Sequence, residues 1–277
     1  MNNLFNYIDR PSPIHRLTGA TKFVCLMLWS AAAMSTYDTR FLAILGAASL
    51  VMFKVSRIKY KDVSFLLSFT FVFLIMNNIL VYLFSPLHGC EIYNSTTYLL
   101  PYTGHFAPTA EQLFYHLNYF LKYLATIPIV LLFVCTTNPS EFASSLNKIG
   151  VKYSVAYSVS LALRYIPDVQ RQYHEISQAS QARGIEMSRK TNIVNRLKSA
   201  STILIPLILT SMDRIEVISN AMELRGFGKR DKRTWYMAHP FRRPDIVCMI
   251  VCAILVVIAI ALNIINGSRF YNPFMQI

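Results

Sequence analysis

The sequence predicts an all-α membrane protein: about five transmembrane helices joined to a cytoplasmic domain of long amphipathic helices. Three observations lead there. Hydrophobic residues fill 54% of the 277 positions and charged residues only 15%, yet the formal net charge is +13. An ordinary globular domain does not combine such an apolar composition with such a charge excess. The apolar residues also gather in runs approaching the roughly 20 residues that a bilayer-spanning helix needs. Finally, 17 of the 27 Lys and Arg residues fall between Thr136 and Pro244.

The first residues, Met1 to Ser12, hold Asp9, Arg10 and Pro11 but no continuous apolar core before a small-residue cleavage site. They do not read as a cleaved signal peptide. Thr21 to Met34 and Phe41 to Phe53 are short spans separated by the turn Ser35-Thr36-Tyr37-Asp38. Val63 to Phe84, Leu113 to Cys135 and Ile246 to Ile265 are the longer spans. The connection after the second span carries Lys54, Arg57, Lys59 and Lys61, whereas Ser85 to Gln112 has neither Lys nor Arg. Positive residues stay on the cytoplasmic side. The N-terminus and residues 136–244 are therefore expected in the cytoplasm of a bacterial cell, and the loop from Ser85 to Gln112 outside. The chain divides into a membrane domain (1–135), a cytoplasmic domain (136–244) and a last span with an external C-terminus (245–277).

Lys122 falls inside the fourth span and Asn77-Asn78 inside the third. Polar groups in lipid raise a transport-pathway reading. A snorkelling lysine and interhelical amide hydrogen bonds account for them without one. Cys25, Cys90, Cys135, Cys248 and Cys252 contain no C-x-x-C pair, so neither a disulfide framework nor a zinc site is expected. His88, Cys90, Glu91 and His105 share a loop without a recognised ligand spacing.

The cytoplasmic segment carries the most specific pattern. Asn138-Pro139-Ser140-Glu141 opens a short helix that runs to Lys148 and stops at Gly150. Val151 to Leu163 is apolar, and the pattern breaks at Arg164-Tyr165-Ile166-Pro167. From there Ile166, Val169, Tyr173, Ile176 and Ser180 recur at helical spacing, with Pro167 at the start and polar residues between. A second amphipathic helix begins near Asn195, carries Leu204, Ile208, Met212, Ile215 and Met222 on one stripe, and has Pro206 as a kink. The first helix ends at Ala182-Arg183-Gly184 and the second at Leu224-Arg225-Gly226, 42 residues later. An Arg in the last turn followed by Gly complements the helix dipole. Two such ends also suit docking, because the guanidinium is a fixed fork of donors for carboxylates and carbonyls in a partner groove.

These residues resemble the transmembrane T component of energy-coupling factor transporters, the EcfT/CbiQ family. Four blocks carry the resemblance: Ser12-Pro13-Ile14-His15-Arg16-Leu17 through Thr21-Lys22; Arg164-Tyr165-Ile166-Pro167; Gln181-Ala182-Arg183-Gly184; and Ala221-Met222-Glu223-Leu224-Arg225-Gly226-Phe227-Gly228. The second motif reads Leu-Arg-Gly where many relatives have Ala-Arg-Gly. The resemblance implies a coupling domain at residues 136–244 and a complex with two ABC-type ATPase subunits and a small membrane substrate-binding S component. Arg183 and Arg225 would enter grooves on the ATPases, with Ala182, Gly184, Ala221 and Gly226 allowing close approach. The apolar stripes would pack the two helices against each other and the S component. ATP and Mg would be used by the partner subunits, with no cofactor bound by this chain.

No G-x-x-x-x-G-K-[ST] phosphate loop occurs, so ATP hydrolysis is not expected here. Asp168, His174 and Glu175 could do acid–base work in a membrane enzyme, but off the apolar stripe they read as a solvated face. A secondary transporter would want a charged midplane site built from broken helices. The net charge of +13 is explained by cytoplasmic bias without nucleic acid. The sequence leaves the cargo open between vitamins or other micronutrients and the cobalt or nickel of a dedicated importer.

Overall fold

The computed structural model describes residues 12–99, 107–184, 193–229, 235 and 241–274, with only the backbone described at 60–62, 139–140 and 193–198. The described residues form nine α-helices: α1 (Gly19–Ser35), α2 (Thr39–Val55), α3 (Tyr60–Phe84), α4 (His88–Tyr93), α5 (Ala110–Thr136), α6 (Pro139–Lys148), α7 (Tyr153–Ala182), α8 (Ile193–Leu224) and α9 (Arg243–Ile265). Among these residues extended pairing is limited to isolated bridges, Tyr37 with Phe270 and Tyr98 with Thr109. The chain forms two compact units, Met1–Asn138 with His239–Ile277, and Pro139–Ala238.

In the first unit, Val63–Phe84, Ala110–Thr136 and Arg243–Ile265 are each long and apolar enough to cross a membrane. The protein is thus an all-α, multi-pass integral membrane protein. Helices α1 and α2 have 17 residues each, or about 25 Å at 1.5 Å per residue against a hydrocarbon core of about 30 Å. Both need their flanks to span.

Cross-helix hydrogen bonds give the chain directions. Lys22 Nζ reaches Thr136 O and Trp29 Nε1 reaches Ala125 O, so α1 and α5 are antiparallel. Thr39 bonds Asn118 and Ser49 bonds Leu124 O, so α2 and α5 are parallel. Asn78 meets His116 while Ser85 O meets Gln112, making α3 antiparallel to α5. Thr18 bonds Asp245 and Ser35 O accepts from Asn263, so α1 and α9 are parallel. Directions therefore alternate along α1, α2, α3, α5 and α9.

The core of this unit uses small residues to bring helices close. Trp29, Ala32 and Ala33 of α1 meet Phe41 and Leu45 of α2, Ala125 and Ile129 of α5, and Cys252 and Ala259 of α9. Pro128 lies inside α5 and cannot donate to the carbonyl four residues back. The Ser49 hydroxyl lies 2.9 Å from that carbonyl, Leu124 O, and shares its one proton between it and Gly46 O of its own helix at 2.8 Å.

Two polar residues of the spans singled out by the sequence, Asn78 and Lys122, have structural partners. Asn78 bonds His116 across α3 and α5 at 3.0 Å. Lys122 does not snorkel. It is 5% exposed, donates to Met34 O, and lies 3.3 Å from the centre of the Tyr37 ring. Its amine is covered by the α1–α2 turn. At the same end, the buried Glu111 carboxylate accepts from the Thr97 backbone N–H and the Ser95 hydroxyl, tying the loop after α4 to α5. The Cys90 thiol donates to Thr109, and His88 lies 3.6 Å from Glu91. His105 falls outside the described residues, and among those described no three His, Cys, Asp or Glu side chains gather as a metal site.

The second unit holds α6, α7 and α8. One expectation is corrected here: the change of character at Arg164–Pro167 does not interrupt the chain. α7 runs unbroken for 30 residues with Pro167 inside it. An internal proline removes a single ladder bond, and the turns on either side carry the helix through. Helix α8 likewise continues through Pro206.

Candidate functional site

The two Arg-Gly ends are built alike, from backbone chemistry upward. Gly184 has φ +83° and Gly226 φ +69°, a left-handed conformation that glycine takes without steric cost. At the end of α8 the Gly226 N–H donates to Glu223 O at 2.8 Å and the Phe227 N–H to Met222 O at 2.9 Å. That bond pair is the Schellman termination, which satisfies carbonyls a helix end otherwise leaves open. At the end of α7 the Gly184 N–H donates to Gln181 O at 3.0 Å. Arg183 and Arg225 occupy the last, capping position of each helix, and both are exposed. Neither forms an ion pair among the described residues.

Helix α8 is anchored just past its Arg-Gly end. The Phe227 ring lies 4.9 Å from Tyr157 and 5.9 Å from Tyr153, both in the first turns of α7. Trp235 closes the cluster, 5.3 Å from Tyr153, and its indole N–H donates to Asn147 of α6. The end of α8 is thereby fixed at the start of α7, and the two helices run antiparallel. Arg225 and Arg183 consequently stand at opposite ends of the pair. α7 has 30 residues, so their separation is on the order of 45 Å. Sequence reading placed both arginines at helix ends but missed the clamp that sets their spacing. Its signals were Tyr153 and Tyr157, one helical turn apart, and the Phe directly after Leu-Arg-Gly.

Between α7 and α8 lies a groove of about 570 Å³ lined by Tyr165, Val169, Arg214, Ile215, Met222 and Phe227 among others. Of the stripe residues, Val169, Ile215 and Met222 reach it. Among the described side chains of α8 the buried ones are Ile203 and Leu207, one position before Leu204 and Ile208. Ile166, Pro167, Tyr173, Ile208, Met212 and Ile215 are exposed, and Ile176 is partly buried. The unit thus leaves these apolar side chains of α7 and α8 open. Leu224, beside Arg225, is 90% exposed, and Ala182 is open as well.

The acid–base candidates do not assemble. Asp168 pairs with Arg214 across α7 and α8 at 3.9 Å. His174 packs edge-on to Tyr173, and both His174 and Glu175 face outward.

The sequence profile of the CbiQ family, described as cobalt transport protein, matches residues 10–236. The chain belongs to the CbiQ family. Members similar to it include the energy-coupling factor transporter transmembrane protein EcfT of Leuconostoc gelidum subsp. gasicomitatum, 28% identical over 88% of this chain and 91% of that protein. The protein of the same name from Bacillus subtilis is 24% identical over 90% of this chain and 94% of its own length. The one from Limosilactobacillus fermentum is 33% identical over 44% of this chain, a match spanning about half (49%) of that relative. The chain is accordingly a T-component-type membrane subunit of the energy-coupling factor class. The CbiQ match ends at residue 236, one position past the clamp residue Trp235.

Proposed function

We propose that this CbiQ-family chain is the coupling subunit of an ATP-driven importer in a bacterial cytoplasmic membrane. It joins two ABC-type ATPase subunits to a small substrate-binding S component. Arg183 and Arg225 dock in one groove on each ATPase, with Ala182, Gly184, Leu224 and Gly226 against the groove walls. ATP and Mg are handled by those partners, and this chain performs no catalysis. The N-terminus and residues 136–244 face the cytoplasm, in line with the 17 basic residues between Thr136 and Pro244.

The observation that carries the reading is the arrangement of the two Arg-Gly tips. Both are exposed, both end in a left-handed glycine, and they sit at opposite ends of one antiparallel helix pair. A separation on the order of 45 Å suits two subunits, since a single helix-tip groove is far smaller. When ATP closes the ATPase pair, the tips follow the grooves that hold them. The helices pass that displacement through the exposed face of Ile166, Tyr173, Ile208 and Met212 to the S component, which releases its cargo. Cargo of the vitamin or micronutrient class is the first reading, as the resemblance carried by the Arg-Gly motifs implies. A cobalt or nickel importer is the second reading, favoured by the description of the matching family.

The deciding experiment is affinity purification from native membranes of the wild type beside Arg183→Ala/Arg225→Ala, with mass spectrometry of what accompanies each. Two ATPases and a small membrane protein should come with the wild type, and the ATPases should be lost or strongly reduced with the variant. The small protein's own ligand separates vitamin from metal transport. Wild type purifying without any ATPase under gentle conditions sinks the proposal.

A further inference from the structure

The N-terminal block Ser12–Leu17 has no part in the coupling mechanism above, yet it is held in place. Ser12 bonds the His15 ring at 2.6 Å, and the Lys22 amine donates to His15 O. Thr18, which follows, is buried and bonded to Asp245 at the head of α9. The fixed segment and that head enclose a pocket of about 410 Å³ lined by Ser12, Pro13, Arg16, Leu17, Arg242 and Pro244.

Among the described residues its lining charge is one-sided. Arg16 and Arg242 are both exposed, and neither forms an ion pair among the described residues. The nearby acid, Asp245, is fully buried and already accepts from the Thr18 and Arg242 backbone N–H groups at 2.9 and 2.8 Å. It neutralises neither guanidinium. Two arginine forks at one pocket suit an oxyanion with several acceptor oxygens, such as a phosphate.

The surroundings indicate what carries that phosphate. The pocket lies at the head of α9, which is long and apolar enough to cross a membrane, and beside the start of the shorter α1; with α9 spanning a bilayer, that end meets the headgroups. From its rim at Arg242 and Pro244, α9 continues with Ile246, Val247, Ile250, Val251 and Ile254, each half-exposed or more. That row provides a surface for acyl chains directly below the charged end.

We propose that this pocket binds the headgroup phosphate of an anionic phospholipid, with Arg16 and Arg242 as its ligands and the outer face of α9 beneath its acyl chains. The bound lipid ties the N-terminal segment to the head of α9, fixing the α1/α9 pair in the bilayer. The proposal rests on the membrane-spanning assignment of α9 and is independent of the coupling role.

The test is native mass spectrometry of the full chain, purified in mild detergent with whatever partners accompany it, after adding equimolar dioleoylphosphatidylglycerol and dioleoylphosphatidylcholine. Wild type should retain phosphatidylglycerol in preference. Arg16→Gln/Arg242→Gln should lose that preference by about tenfold. Arg16→Lys/Arg242→Lys should keep most of it, which guards against a folding defect in the first variant. Lys54→Gln/Lys59→Gln, which removes two charges at the same membrane face, should match wild type. Unchanged retention in the Gln pair, or an equal loss in the lysine control, overturns the site. Displacement of the lipid by millimolar inorganic phosphate would make it a free-anion pocket instead. Binding only after partners are stripped away would assign it to a partner's acidic side chain. Either result overturns the lipid assignment.

Discussion

The Asp245 carboxylate accepts the Thr18 backbone N–H at 2.9 Å, joining the starts of α9 and α1 across 227 residues of sequence. Its other oxygen accepts the Arg242 N–H at 2.8 Å, within its own helix. One buried acid thus caps two helices and fixes them as parallel neighbours.

Replacing that acid tests the shared cap. Asp245→Ala leaves the buried Thr18 N–H unpaired, at about 1–3 kcal/mol, and frees the part-buried Arg242 N–H, which water can reach. The apparent melting temperature of the detergent-solubilised chain, read by loss of the monodisperse chromatographic peak, should fall by several degrees. Asp245→Asn keeps an acceptor and should fall less. Identical melting of the Ala variant and wild type would show that the cap contributes nothing.

The bond from Ser49 to Leu124 O is expected to matter only because Pro128 frees that carbonyl. Ser49→Ala should cost roughly 1 kcal/mol. In a Pro128→Ala background α5 can make its own bond to Leu124 O, and the same change should cost about half as much or less. A double-mutant cycle of thermal stabilities measures the difference. Equal costs in both backgrounds would mean that the hydroxyl is not a substitute donor.

The aromatic clamp has a spectroscopic handle, since the chain contains two tryptophans. In a Trp29→Phe background, Trp235 is the sole indole. Phe227→Ala removes the ring between Tyr157 and the Arg225 tip. Trp235 emission should then shift to the red, and proteolysis near residue 230 should quicken. Under the proposed docking role, uptake by the assembled transporter should drop several-fold. An unshifted emission maximum would mean that Trp235 does not depend on Phe227.

Gly184→Ala isolates backbone strain from packing. A Cβ at Gly184 would meet nothing within 4 Å, but φ is +83°. The cost should be about 1 kcal/mol, concentrated in the last turn of α7 and felt at Arg183. ATPase co-purification should weaken while the melting temperature changes little. Full retention of the ATPases would detach the left-handed end from docking.

The Asp168–Arg214 pair should be nearly neutral, because both side chains are partly exposed and 3.9 Å apart. Asp168→Asn should alter stability by less than about 1 kcal/mol. A large loss of a catalytic turnover would instead revive the enzyme reading.

Much of this protein was legible from residue order because the signals are local. Runs such as Val63–Phe84 declare a span by length and hydropathy alone, since lipid forces each backbone to bond within its own helix. Arg-Gly ends declare themselves because a left-handed glycine closes a helix through neighbours a few residues away. Tertiary structure decided whatever depends on residues far apart. Pro167 looked like a boundary, yet the turns around it carry α7 through. Lys122 looked like a snorkelling cation, until the α1–α2 turn placed Tyr37 and Met34 O over its amine. The stripe on α8 could be read to within one position, but which rows are buried depends on the facing helix, and among the described side chains the buried pair is Ile203 and Leu207. Neither the spacing of Arg183 from Arg225 nor the shared cap at Asp245 exists in any single segment. Both arise only when separate helices meet, because directional hydrogen bonds and ring contacts are satisfied in three dimensions and leave no period along the chain.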